Sequence, residues 1–339
     1  MESGGYFDTA SIGLVPEAVR AAVGACYDAM GRGTRGSREW RPVVERAHRR
    51  YAAELGVAED EVAFMASTGE AVNAIAHAVP WRPGDEVLVL RDEFPTVVYP
   101  WRGLGDAVRV VEVDALPGDD RLGALLAAIG PRTRVVAVSH VSSFTGTLVD
   151  LDVLGPACAR AGATLVVDGA QAAGAIPVGL DHVDFYVATG YKWLLAGFGV
   201  AVVAARRAAL DSLRPTLLGH GNPPPTPRLT YGHLNLPGVY ALEAAAAFRE
   251  TVGHEEIHAR VARLARRVHE EAAALGLVPV AHPERMGGIV SVAGHADAVE
   301  RLAARGLAVA HRGGHLRMSP HFYTSDADVD RLLAELKTL

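Results

Sequence analysis

Seven short apolar runs, rich in valine, recur through the first two thirds of the 339-residue chain, at 62–66, 86–90, 108–113, 134–140, 163–168, 183–189 and 199–204. They show little alternation of polar and apolar residues, so each reads as a strand covered on both faces. Ala-, Leu- and Arg-rich stretches with helical spacing separate several of them, at 43–55, 70–78 and 151–161. Strand, helix and strand in repetition predicts an α/β layer structure: a mostly parallel, seven-stranded sheet sandwiched by helices.

The texture changes after Gly219-His220-Gly221-Asn222-Pro223-Pro224-Pro225-Thr226-Pro227. Prolines at that density exclude helix and central strand, so a linker is expected at about 219–227. Helical patterns follow at 239–252 and 255–275, then short strands near 288–292 and 315–318 and a last helix from Ala327. This predicts a smaller α+β C-terminal domain. The expected division is a large α/β domain over 14–222 and a smaller one over 1–13 and 228–339.

Charge and cysteine usage remove several function classes. The formal net charge is -6, whereas a polyanionic partner requires a basic field; neither nucleic acid nor an anionic membrane is expected. No apolar run approaches the roughly 18 residues of a membrane helix. The first residues lack the basic start and apolar core of a signal peptide. The two cysteines, Cys26 and Cys158, cannot form a disulfide framework, so a reducing, cytoplasmic location is expected.

Two strand ends carry the strongest chemical signal. Leu165-Val166-Val167-Asp168-Gly169-Ala170-Gln171 and Val187-Ala188-Thr189-Gly190-Tyr191-Lys192-Trp193 each run from an apolar strand into small residues and then present an ionisable group. Ligands of open α/β sheets bind at the carboxyl ends of strands, so both groups are expected at one crevice. A carboxylate and an amine placed this way suit pyridoxal phosphate (PLP), the amine forming a Schiff base and the carboxylate keeping the pyridine nitrogen protonated. They equally suit a plain salt bridge at the sheet edge. Phe64-Met65-Ala66-Ser67-Thr68-Gly69-Glu70 runs from a strand into a helix, the layout of a phosphate site at a helix N-terminus, or simply of an N-cap.

In that order, Ser139-His140-Val141-Ser142-Ser143-Phe144-Thr145-Gly146, then Val167-Asp168-Gly169-Ala170-Gln171-Ala172, then Gly190-Tyr191-Lys192-Trp193 resemble the class V, cysteine-desulfurase-like branch of the fold-type I PLP enzymes. The resemblance runs from Tyr6-Phe7-Asp8-Thr9-Ala10-Ser11 to Tyr323-Thr324-Ser325-Asp326. It implies a PLP enzyme acting on an amino acid, with a homodimer whose chains share active sites. By the same resemblance Lys192 carries the cofactor and moves the Cα proton, Asp168 pairs with the ring nitrogen, and Gln171 bonds the ring hydroxyl. Thr68, Gly69 and Thr189 hold the phosphate, Phe94 stacks on the ring or packs in the core, and Arg317 grips the substrate carboxylate. His233 falls where family members reach a partner's phosphate.

The departures bear on the reaction. Desulfurases carry a nucleophilic cysteine on a loop before the carboxylate-binding arginine; here Ala310-His311-Arg312-Gly313-Gly314-His315 leads straight to Arg317, and no cysteine follows Cys158. Tyr191 stands where desulfurases have histidine, and Ser143 where many members have asparagine near the ring hydroxyl. Cys158 is expected to be buried packing. These differences point to β-elimination, a carbon–sulfur lyase without a persulfide cysteine. The alternatives are an aminotransferase, an epimerase, an oxidative decarboxylase, or a PLP-binding module without catalysis. His254-Glu255-Glu256-Ile257-His258 matches a zinc-peptidase pattern, but no third ligand is indicated nearby and no metal is expected.

Overall fold

The structure is a computed structural model, and it describes residues 4–115, 120–214, 217–222 and 229–339. Most of the proline run of the expected linker, 223–227, lies outside the described residues, as does the expected boundary residue 228.

The seven valine-rich runs form one sheet: β1 (Val62–Met65), β2 (Glu86–Leu90), β3 (Arg109–Val113), β4 (Thr133–Ser139), β5 (Thr164–Asp168), β6 (Phe185–Thr189) and β7 (Ala201–Ala205). Their order is β1-β7-β6-β5-β4-β2-β3. β7 is antiparallel to both neighbours, and the other pairs are parallel. The runs lack alternation because successive side chains enter two different cores. Leu165 and Val167 join the core on one face, together with Leu88, Val136 and Val138. Val166 joins the other, with Val87, Val89 and Phe185. Helices Trp40–Leu55, Leu151–Ala161 and Leu236–Val252 cover the first face, and Thr68–Ala78 and Pro95–Arg102 cover the second.

A second sheet of β8 (Val290–Ala293), β9 (Ala310–Arg312) and β10 (His315–Met318) has the order β8-β10-β9. Helices His254–Ala274, Ala298–Ala303 and Asp326–Leu336 close its core through Leu264, Val268, Leu302 and Leu332. The N-terminal segment belongs to this layer. Tyr6 bridges Ala308, Asp8 bridges Ser319, and Phe7 is buried in the same core.

Helix Leu236–Val252 follows the expected boundary at 228, yet it adds Val239, Leu242 and Ala245 to the core of the large sheet. That core therefore runs past the boundary drawn from sequence. The helix is apolar almost all round, so its sequence does not declare which layer it covers. Its buried Arg249 pairs with Glu54 and donates from Nη1 to the Leu194 carbonyl at 2.6 Å, tying helix, sheet layer and the segment after Lys192 together.

Close packing under β5 depends on one glycine. A Cβ at Gly169 would lie 2.1 Å from Cζ of Tyr186, whose ring is buried. Gly169→Ala is expected to cost about 2–3 kcal/mol through overpacking, read as a lower urea midpoint. An unchanged midpoint would mean that Tyr186 moves aside freely.

Candidate active site

The carboxyl ends of β1, β4, β5 and β6 converge on a cavity of about 230 Å³. Topology dictates the place. The sheet grows from β4 through β5 and β6 in one direction, and through β2 and β3 in the other. The crevice opens where that order reverses. A larger opening of about 460 Å³ between His140 and Arg285 is lined by neither Lys192 nor Asp168.

Of the residues singled out from sequence, Thr68, Gly69, Phe94, Ser143, Asp168, Gln171, Thr189, Tyr191 and Lys192 all line the cavity. Arg317 and His233 are not part of its lining. His233 is exposed, with its ring 4.4 Å from that of His220. Arg317 lies in β10 and is buried. Phe94 is 36% exposed, which rules out core packing as its main role.

Lys192 is buried between two rings, its Nζ 5.5 Å from the centroid of Phe94 and 5.6 Å from that of Tyr191. Burial pushes its pKa down to about 8, against the pull of the Asp168 charge, and Arg317 adds to the lowering. Only two of the 33 basic residues are lysines, Lys192 and Lys337. This scarcity is a sequence signal that singles out Lys192 independently of any motif. Burial pushes the Asp168 carboxyl up, opposed by a 2.8 Å hydrogen bond from the Ala170 amide and by the Lys192 charge.

At the β1 end, Ser67 caps helix Thr68–Ala78, its Oγ accepting from the Glu70 amide at 3.0 Å. The first-turn amides of Thr68 and Gly69 have no partner inside a helix, and both residues line the cavity, so the N-cap leaves room for an anion at this helix end. Gln171 is largely engaged: its Nε2 donates to the Ala10 carbonyl at 3.0 Å, and its Oε1 accepts from Trp193 Nε1 at 2.8 Å. The Ser143 hydroxyl, in contrast, is buried on the cavity wall with no hydrogen-bond partner among the described residues. An unpaired hydroxyl, a buried carboxylate and a helix N-terminus around one amine fit PLP, which offers a ring hydroxyl, a pyridinium N–H and a phosphate.

Sequence reading assigned no role to several polar groups that the fold brings here. Glu93 is buried, accepting from the Ser139 amide at 2.9 Å and from its hydroxyl at 2.5 Å. It thereby ties the Phe94 turn to the end of β4. Asp8 and Ser11 both accept from Arg317 Nη2, at 3.1 and 2.7 Å. Glu93 adjoins Phe94 in the sequence, its nearest signal; Asp8 and Ser11 stand in the segment that opens the resemblance, which assigned them no role. The zinc-peptidase motif lies apart, in the first turns of helix His254–Ala274, with its two imidazoles 6.4 Å apart. Among the described residues no group of three or more His, Cys, Asp or Glu side chains is disposed to hold a metal.

The lowered Lys192 pKa has a direct readout. In apoprotein, trapping of Lys192 by acetaldehyde and borohydride, followed by peptide mapping, should rise with a midpoint near pH 8 rather than at the ordinary 10.5. Asp168→Asn removes the charge that favours the ammonium, so the midpoint should fall further. A midpoint at the ordinary value would contradict the burial argument.

Comparison with known proteins agrees with this geometry. The aminotransferase class-V family pattern matches residues 5–332. An isopenicillin N epimerase from Streptomyces clavuligerus is 32% identical over 321 residues, 82% of this chain and 80% of its own. A probable cysteine desulfurase from Methanothermobacter thermautotrophicus is 26% identical over 329 residues, 85% of this chain and 82% of its own. Among solved structures, the apo cysteine desulfurase of Thermococcus onnurineus NA1 superposes with a TM-score of 0.89 at 24% identity, covering 98% of this chain and 94% of that one. A C-DES variant with glycine covalently linked to its PLP cofactor gives 0.91 at 20% identity, covering 98% and 96%. Those likenesses carry the fold; the family match over nearly the whole length carries membership, and the chain belongs to the class-V aminotransferase family of PLP-dependent enzymes.

Proposed function

We propose that this enzyme removes the Cα proton of a small amino acid and expels its β-substituent, acting as a carbon–sulfur lyase without a protein persulfide. One observation carries the reading: a buried amine with a lowered pKa faces the cavity, while both thiols are shut away from it. Cys26 and Cys158 are 0% and 1% exposed, and burial pushes both thiols up, Cys158 to about 12. A neutral thiol buried elsewhere in the core cannot serve as a sulfur acceptor.

PLP, when bound, withdraws electrons from Cα. Around it Lys192 binds the cofactor and carries the Cα proton, Asp168 holds a proton at the ring nitrogen, and Thr68, Gly69 and Thr189 take the phosphate. Ser143 and the remaining N–H of Gln171 would bond the ring hydroxyl, Tyr191 flanks the lysine, and Phe94 would shield the ring from water. Arg317 receives the substrate carboxylate. Phe198, 67% exposed and stacked on Tyr191 at 4.5 Å, supports a homodimer whose partner covers this edge, with His233 reaching the neighbouring site. The large α/β unit, which takes in helix Leu236–Val252, holds the cofactor, and the layer of β8, β9 and β10 supplies Arg317. Two unpaired cysteines suit a reducing cytoplasm. No helix among the described residues is long and apolar enough to cross a membrane.

Epimerisation is a second reading, favoured by the relatives named isopenicillin N epimerase at 32% and 30% identity. It shares the first step and differs in returning the proton instead of releasing the β-group. Incubating the PLP-loaded protein with L-cysteine in deuterium oxide separates the two. Pyruvate, ammonia and hydrogen sulfide are the expected products, and Lys192→Ala should lose at least about a thousandfold in rate. Deuterated cysteine of inverted configuration without pyruvate would overturn the lyase in favour of the epimerase.

A further inference from the structure

The guanidinium of Arg317 is already occupied. Its Nη2 donates both hydrogens, one to Asp8 Oδ1 at 3.1 Å and one to Ser11 Oγ at 2.7 Å, and Nη1 donates to the Ser143 carbonyl at 2.9 Å. Nε is buried, with no partner among the described residues. A guanidinium offers a carboxylate two forks, Nε with Nη2 and Nη1 with Nη2. Both forks use Nη2. A substrate carboxylate therefore cannot bind in two-pronged fashion until Asp8 or Ser11 lets go.

Electrostatics select Asp8 as the group that yields. Arg317 is 3% exposed, and two carboxylates on one buried guanidinium would leave an uncompensated negative charge in a poorly hydrated site. The Asp8 side chain is 20% exposed and has a way out to water. The segment that carries it also touches the rest of the site. The Ala10 carbonyl accepts from Gln171, and the Gly13 amide donates to the Tyr191 carbonyl at 2.8 Å. A Cβ at Gly13 would fall 2.0 Å from the Lys192 carbonyl oxygen, so this backbone lies directly against the lysine.

We infer that Asp8 is a specificity-determining latch: its carboxylate stands in for the substrate α-carboxylate on Arg317 and is exchanged for it on binding. This rests on Arg317 being the carboxylate-binding residue. The latch satisfies the buried guanidinium between turnovers. It lowers affinity for every carboxylate-bearing substrate, and it leaves amines without a carboxylate unaffected.

The test uses PLP-loaded protein and two probes, L-alanine and ethylamine, which differ by the carboxylate. Dissociation constants are read from the shift of the cofactor's visible absorption, independently of turnover. Asp8→Ala should bind L-alanine about tenfold more tightly, a gain of about 1.4 kcal/mol, with ethylamine unchanged. Asp8→Asn keeps the shape and the hydrogen bond without the charge, protects against misfolding, and should tighten L-alanine about threefold. Weaker or unchanged L-alanine binding in both variants would overturn the latch and leave Asp8 as a support for Arg317. Arg317→Ala guards the underlying reading. If it abolishes the preference for L-alanine over ethylamine while the Asp8 variants fail to tighten binding, only the latch falls. If it leaves that preference intact, the assignment of Arg317 falls with it.

Discussion

The site depends on a carboxylate and an amine withdrawn from water at the ends of adjacent parallel strands. Asp168 and Lys192 attract each other through space, and each is pushed by burial toward its neutral form. Neither would be tolerated alone at that depth. Parallel pairing of β5 with β6 sets their separation, because Asp168 ends β5 and Thr189 ends β6. Everything that fixes the sheet register, including the flush contact between Gly169 and Tyr186, thus fixes the distance between the two groups.

How much of this was legible in the chain follows from the reach of each interaction. The seven strands of the large sheet announce themselves because each is a short, mostly apolar run, and their observed limits differ from the expected ones by at most two residues. β9 gave no such signal: Ala310–Arg312 is three residues long and ends in two polar groups. The helix Leu236–Val252 was expected to start at 239, although Asn235, whose side chain accepts from the Gly238 amide, and a proline in the first turn mark the true start. For the site, Lys192 and Asp168 were legible from strand ends and Thr68 and Gly69 from a strand-to-helix turn. All are local patterns. Asp8 and Ser11 meet Arg317 across more than 300 residues, and Glu93 meets Ser139 across 46. No periodicity or spacing rule spans such a gap.

That division of reach has a structural consequence. The groups facing the cavity from β1, β4, β5 and β6 belong to one sheet whose core is covered on both faces. The environment of Arg317 instead needs the two ends of the chain to meet. Thr9 bonds Tyr323 at 2.9 Å, the Ala10 amide donates to Ser319 at 2.9 Å, and Asp8 bridges Ser319. Contacts at this separation carry a loop-closure cost before they yield any stabilisation. The layer around β8, β9 and β10 is fastened to the large sheet all the same: Ile257, Val261 and Ile289 share one buried cluster with Val141, Ala172 and Trp193, and Ser291 Oγ donates to the Phe144 carbonyl at 2.7 Å. The groups around Lys192 and those around Arg317 thus stand on two layers joined by a shared buried core. The N-terminal segment, lying against Gln171, the Lys192 carbonyl and Arg317 at once, is the element that couples them.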